Sequence, residues 1–150
     1  MNRRGRFGGI SRSRLMSLIR GRNNKSTELR LLNILRRAGI TGWRRHLPMP
    51  GTPDFTFRKS RMVIFVDGCF WHGCQKCFRR PAKNKEFWAR KISSNQKRDR
   101  RVDKILKMKK WRVIRIRECG LRWEKRIIRR ILNKTIQGKR SSADRGNQRP

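Results

Sequence analysis

The longest uninterrupted apolar run in this chain is Met62 to Val66. Such a run suffices for one buried β-strand, whereas a bilayer span needs about 20 residues. No membrane-spanning segment is therefore expected, and any core has to be assembled from short strands and the apolar stripes of helices. Hydrophobic residues make up 35% of the 150 positions, with five Trp and seven Phe, enough for the small packed core of one domain. The rest is lopsided: 44 Lys and Arg face nine Asp and Glu, a formal charge of +35 and a pI of about 12. A field of that size concentrates polyanions, so nucleic acid is the expected partner and an ordinary neutral enzyme surface is excluded.

Residues 1–22 hold seven Arg and no acid, with Gly5, Gly8 and Gly9 near the start, and read as a basic arm that turns helical from Ser13 to Ile19. No apolar stretch and cleavage pattern of a secretory signal follows it. A reducing, cytoplasmic setting is the working expectation. Residues 23–137 form the expected domain, and the polar tail, 138–150, is expected to be disordered. Within the domain, Ser26 is placed to cap a helix with Glu28 in its first turn and Leu29, Leu32, Leu35 and Ala38 on one face, stopped by Gly39. Trp43 to Leu47 reads as a short strand. Pro48, Pro50, Gly51 and Pro53 then force a turn that delivers Asp54 to the start of the next strand. Asp54 to Phe57 and Met62 to Val66 read as an antiparallel pair. A loop, Asp67 to Pro81, precedes a long polar helix from Lys83 to Met108 with Phe87, Ile92, Val102, Ile105 and Leu106 as inward positions. Trp111 to Ile116 is apolar on both alternating faces and reads as a central strand. A last helix, Arg122 to Ile136, places Ile127, Ile128, Ile131 and Leu132 on one side.

Three of the four cysteines, Cys69, Cys74 and Cys77, lie in the one loop, and Cys119 follows the last strand, where the chain can return to that loop. Four soft ligands suffice for a closed tetrahedral zinc site, which is structural because it leaves no position for water. Buried free thiols and thioredoxin-like redox chemistry are the other readings. So few carboxylates make each position informative. Asp54 at the start of one strand and Asp67 just past its neighbour would share a sheet edge, where hard oxygen ligands suit Mg²⁺. His72 is five residues beyond Asp67 and has the chemistry of a general base near neutrality, or of a zinc ligand in place of Cys74 or Cys77. Asp54 and Asp67 also read as turn residues. Glu86, Asp99, Asp103 and Glu124 read as helix charge balance.

The string Val63-Ile64-Phe65-Val66-Asp67-Gly68-Cys69-Phe70-Trp71-His72-Gly73-Cys74 strongly resembles the core of the very short patch repair (Vsr) endonucleases. Other pieces follow in order: the arm from Ser13 to Arg20, Glu28, Pro53-Asp54, Glu86-Phe87-Trp88 with Lys91 and Asn95, Arg98-Asp99-Arg100-Arg101, Lys110 to Val113, and Glu118-Cys119. The resemblance runs from about Ser11 to Cys119.

It implies an α/β protein with a restriction-endonuclease-like core, a central mixed β-sheet flanked by helices. The implied activity is nicking of one strand of duplex DNA at a T·G mismatch left by deamination of 5-methylcytosine. Asp54 would bind Mg²⁺ with the backbone carbonyl of Val66, His72 would be the general base, and Glu28 would support the metal-water network. Asp67 would bind metal or orient water. Phe70 and Trp71 would wedge between base pairs, joined by Trp88 from the major groove, while Met16 and Ile19 approach from the opposite groove and Lys91 and Asn95 bind DNA. A monomer acting near the bacterial nucleoid, with mismatch-repair proteins and a cytosine methyltransferase as functional partners, is also implied. The chain departs from the usual restriction-like lysine motif, carrying Asp67-Gly68-Cys69 there, and has Cys74 where some relatives put histidine. A related nuclease with another DNA target, and a non-catalytic basic zinc protein, are the competing expectations.

Overall fold

The computed structural model describes the backbone of residues 23–143 and the side chains of residues 23–135. The expected arm, with Met16 and Ile19, and the last residues of the expected tail lie outside the described residues. In chain order the elements are α1 (Glu28–Arg37), β1 (Trp43–Arg45), β2 (Phe55–Phe57), β3 (Met62–Asp67), α2 (Lys85–Met108), β4 (Arg112–Arg117), a 3₁₀ turn (Glu118–Arg122) and α3 (Glu124–Ala143). The strands form a mixed sheet in the order β1-β2-β3-β4, antiparallel except for the parallel pair β3 and β4. The expected pairing of the second and third strands holds, with Phe55 opposite Ile64.

β3 is buried on both sides, which is why its sequence is continuously apolar instead of alternating. Met62 and Ile64 join Phe55, Phe57, Ile114 and Ile116 in a core closed by Leu31, Ile34 and Leu35 of α1 and Ile127 and Ile131 of α3. Val63 and Phe65 point the other way, into a smaller core with Leu106 of α2, against which Val102, Trp111 and Val113 pack. The result is three layers: α1 and α3, the sheet, then α2. The Pro-rich turn before β2 is pinned to α2 at Gly51, where φ is +76° and an added Cβ would lie 2.6 Å from Val102 Cγ1. Only glycine satisfies both demands.

Several expectations are corrected. Trp111 to Ile116 yields β4, which lies at one end of the described sheet instead of its centre. Its two-sided apolar pattern reports helices on both faces, not strands on both edges. Phe87 is 52% exposed instead of inward, and Leu132 is also exposed, since each lies beyond the arc of its helix that meets the sheet. Thr27, not Ser26, occupies the α1 cap position, without a side-chain cap bond, while Ser26 Oγ bonds Asn24. The buried stripe of α1 includes Leu31 and Ile34, which the expected face omitted. The last helix continues past Ile136 to Ala143, into the stretch expected to be disordered.

Candidate active site

The strand directions bring the start of β2 and the ends of β3 and β4 to the same edge of the sheet. Carboxyl ends of parallel strands are where open α/β sheets bind ligands. Asp54, Asp67 and Cys119 all arrive there, each from a different strand end.

The first group is Glu28, His46 and Asp54, whose ligand-type atoms lie within 4.8 Å of one another. Asp54 Oδ2 accepts the backbone N–H of Val66 at 2.7 Å, locking the carboxylate against β3. Burial pushes the Asp54 carboxyl up to about 6; the Val66 N–H opposes this, and the charges of Glu28 and Asp67 add to it. That carboxylate lacks a sufficient cation of its own. Glu28 is only 2% exposed and accepts from Asn23 N, from Arg45 and, at 2.7 Å, lies against His46 Nε2. His46 adopts φ of +49°, and its Nε2 is buried without a well-aligned hydrogen bond. Sequence reading passed over His46. Its signal is the lone histidine three residues after Trp43, on the same short connection as Arg45.

The second group is Asp67, His72 and Asp99, again within 4.8 Å. His72 Nδ1 lies 2.5 Å from Asp99 Oδ2, and Nε2 lies 3.8 Å from Asp67 Oδ1. Arg115 knits the acids together, donating to Asp67 and Asp103 at 2.9 Å, with Asp99 at 3.6 Å, while its guanidinium stacks on Phe65. Burial pushes the Asp99 carboxyl up, but the His72 hydrogen bond and the Arg115 charge outweigh it and hold it below the usual carboxylate range. Asp99 and Asp103, expected to balance helix charge, instead orient other side chains of this edge. The legible signal was spacing: Asn95, Asp99 and Asp103 recur every fourth residue, one polar stripe along α2. Asn95 Nδ2 donates to Trp71 O at 3.0 Å and Gln96 Nε2 to His72 O at 3.2 Å, so this stripe carries the loop that presents His72.

The structure therefore assigns the expected residues to two neighbouring groups: Asp54 and Glu28 in one, His72 and Asp67 in the other. Asp67 couples them, since Asp54 feels its charge. Asp67 Oδ2 is buried without a hydrogen-bond partner, 3.5 Å from Arg117 Nη1.

The third group is Cys69, Cys74, Cys77 and Cys119, all free thiols with their sulfurs within 4.8 Å. Tetrahedral Zn–S bonds of about 2.3 Å imply S···S edges of about 3.8 Å. Cys74 and Cys119 stand 3.7 Å apart, matching one such edge, and all four sulfurs lie within 4.8 Å of one another. His72 lies in the carboxylate group, which removes it from this ligand set. Although burial opposes it, the Lys76 N–H and the Cys77 thiol draw the Cys74 thiol down to about 7, and burial drives Cys69 up. One thiolate thus forms first and favours a cation. Glu118 Oε2 accepts from Cys69 N at 3.3 Å and ties the loop to the end of β4.

On the outer side of the loop, Phe70, Trp71 and Trp88 meet edge to face with centroids 5.0–5.9 Å apart. Trp88 is 8% exposed and packs beneath the other two, whereas Phe87 extends the cluster into solvent at 5.1 Å from Trp88. Lys91 on the next turn of α2 is exposed.

Comparison with known proteins points the same way. Residues 6–79 match the family model described as DNA mismatch endonuclease Vsr. The chain is 36% identical to the DNA mismatch endonuclease Vsr of Escherichia coli (strain K12) over 129 residues, covering 85% of this chain and 81% of that protein. It is 35% identical over 109 residues to the type II nicking enzyme V.XorIIP of Xanthomonas oryzae, covering 71% of this chain and 79% of that enzyme. The type II nicking enzyme V.HpaIIP of Haemophilus parainfluenzae is 36% identical over 96 residues, 61% of this chain and 68% of the relative. With acid, histidine and thiol groups gathered at one sheet edge, and similarity extending over most of both chains, this chain belongs to the Vsr family of DNA mismatch endonucleases.

Proposed function

We propose that this protein nicks one strand of duplex DNA at T·G mismatches left by deamination of 5-methylcytosine, on a restriction-endonuclease-like core, as the first step of very short patch repair. The observation that carries the reading is the His72–Asp99 pair at the same sheet edge as the Asp54 carboxylate, with the aromatic cluster on the loop that bears His72.

The chemistry of each part follows from its surroundings. Asp99 accepts the Nδ1 proton of His72, which leaves Nε2 with a free lone pair to take a proton from the attacking water. Asp67 faces that nitrogen and steadies the imidazolium that results. Asp54, held by the Val66 N–H, offers a second oxygen to a hard divalent ion, and the Val66 carbonyl is a further donor. The donor set fits, because Asp54 is a half-buried carboxylate under-compensated by positive charge. A Mg²⁺ ion held there by Asp54 and the Val66 carbonyl would supply Lewis-acid polarisation of a phosphate. Glu28 holds Arg45 and His46 beside Asp54 and thereby shapes the pocket. A Zn²⁺ ion held by Cys69, Cys74, Cys77 and Cys119 would be structural, fixing the loop that carries His72.

Mismatch preference follows from the aromatic loop. Phe70 and Trp71, supported from below by Trp88, act as the wedge, and unstacking costs least where pairing is already imperfect. Lys91 and Asn95 lie alongside, Asn95 by fixing the Trp71 backbone. Met16 and Ile19 approach the other groove. The test is nicking of T·G and matched duplexes at near-physiological salt by the wild type, Asp54→Ala and His72→Ala. We expect Mg²⁺-dependent nicking of the T·G duplex that both variants lose; nicking that persists in both refutes the assignment. Equal cutting of the matched duplex would point instead to a related nuclease with another target.

A further inference from the structure

Beside the His72–Asp99 pair, the end of β4, the 3₁₀ turn, α2 and the first turns of α3 enclose a cavity of about 760 Å³. Asp99 stands in its wall, and His72 is not among the residues that line it. Arg100, Arg117, Arg122, Arg126 and Arg130 converge on this space from four elements. The two acids in the wall, Asp99 and Asp103, are engaged by His72 and Arg115, so among the described residues Arg100, Arg122, Arg126 and Arg130 have no carboxylate partner, while Arg117 faces Asp67. Arg117 Nη1 is buried without a hydrogen-bond partner, at 3.5 Å from Asp67. Trp123 lines the same cavity, is 59% exposed, and has the Arg122 guanidinium 5.3 Å from its ring centroid.

Like charges gathered around a cavity repel one another until an anion enters. The volume falls in the range of roughly 300–1,000 Å³ that encloses a small ligand, which suits a nucleotide or two and not a duplex. An exposed indole among arginines is also the arrangement on which unpaired bases stack, and paired bases have no free face to offer. We propose that this cleft is a subsite for single-stranded DNA, contacting phosphates through Arg117, Arg122 and Arg126 and stacking a base on Trp123. Its place next to the cutting edge suits the strand end that nicking releases; only this origin of the occupant rests on the nicking reading, and the binding does not.

The test uses the full chain with its zinc retained and no Mg²⁺ added, so that no cutting occurs, and a fluorescein-labelled oligothymidylate of about six nucleotides, within the usual span of single-strand sites. Affinity is read by anisotropy at several salt concentrations for the wild type, Trp123→Ala, Trp123→Phe and the pair Arg122→Glu with Arg126→Glu. A pair of equal charge change in the exposed β2–β3 turn, Arg58→Glu with Lys59→Glu, is the control. We expect Trp123→Ala and the cleft pair each to weaken binding about tenfold, Trp123→Phe to restore most of it, and the control to lose less than about threefold. The cleft pair should also flatten the dependence of log affinity on log salt by about 1.4, two phosphates at about 0.7 each. Affinity of Trp123→Ala for a matched duplex should be unchanged. Equal losses in the cleft and control pairs, or wild-type oligothymidylate binding by Trp123→Ala, would overturn the subsite. Loss of nicking by Asp54→Ala with oligothymidylate binding intact separates the two proposals.

Discussion

On the proposed reading His72 is useful as a base only in the tautomer that leaves Nε2 unprotonated, and at the residue scale Asp99, 2.5 Å from Nδ1, is placed to favour it. Asp99→Asn keeps the shape of the pair but can impose the wrong tautomer. Single-turnover nicking should fall by about 10²–10⁴, with DNA affinity within about twofold of wild type. An unchanged rate would remove Asp99 from the mechanism. Asp54 supports a second expectation, about pH. Its carboxyl rises from 3.8 to about 6 on folding, mainly through burial, so between those values the native state holds more protons than the unfolded chain. Stability from this group is therefore complete below about pH 3.8 and is lost as pH rises through about 6. Without added Mg²⁺, Asp54→Asn should be more stable than wild type at pH 8 by about 2–3 kcal/mol and indistinguishable from it near pH 3. Urea denaturation at both pH values measures this. Asn can still accept the Val66 N–H, so the difference isolates the charge.

At the scale of elements, the loop between β3 and α2 carries both the proposed wedge and the proposed base, yet it contains no helix or strand of its own. What holds it is the cysteine group at one end and the Asn95 and Gln96 bonds from α2 at the other. Replacing Cys119 with Ser removes the proposed zinc ligand that follows β4. We expect bound zinc, measured by atomic absorption, to fall well below one ion per chain, the melting temperature to drop and nicking to be lost, while far-UV circular dichroism still shows α1 and α3. Full zinc content in Cys119→Ser would exclude this cysteine as a ligand. The helices themselves were largely readable, because an apolar stripe reports the face that meets the sheet. The place of β4 was not, since Ile114 and Ile116 on one side and Trp111 and Val113 on the other describe two covered faces whatever lies along the edge.

For the whole molecule, a charge of +35 makes association with any DNA strong and salt-dependent. Non-specific binding releases more counterions than the wedge adds, so raising salt should weaken matched duplex more than T·G duplex. The ratio of T·G to matched nicking should accordingly climb between about 50 and 200 mM salt, measured from initial rates, and a flat ratio would contradict this. Sequence alone determined the polyanionic partner, the family, the run that becomes β3 and the four cysteines as one set, because composition, uninterrupted apolar stretches and dense local motifs need no knowledge of distant contacts. Tertiary structure alone decided that His46 joins Glu28 and Asp54, that Asp99 belongs to His72, and that Arg115 binds three acids. Those partners lie 8 to 48 residues apart in the chain and meet only because antiparallel and parallel pairing carry three strand ends to one edge. Charge pairing across such distances leaves no periodic trace, so folding had to reveal it.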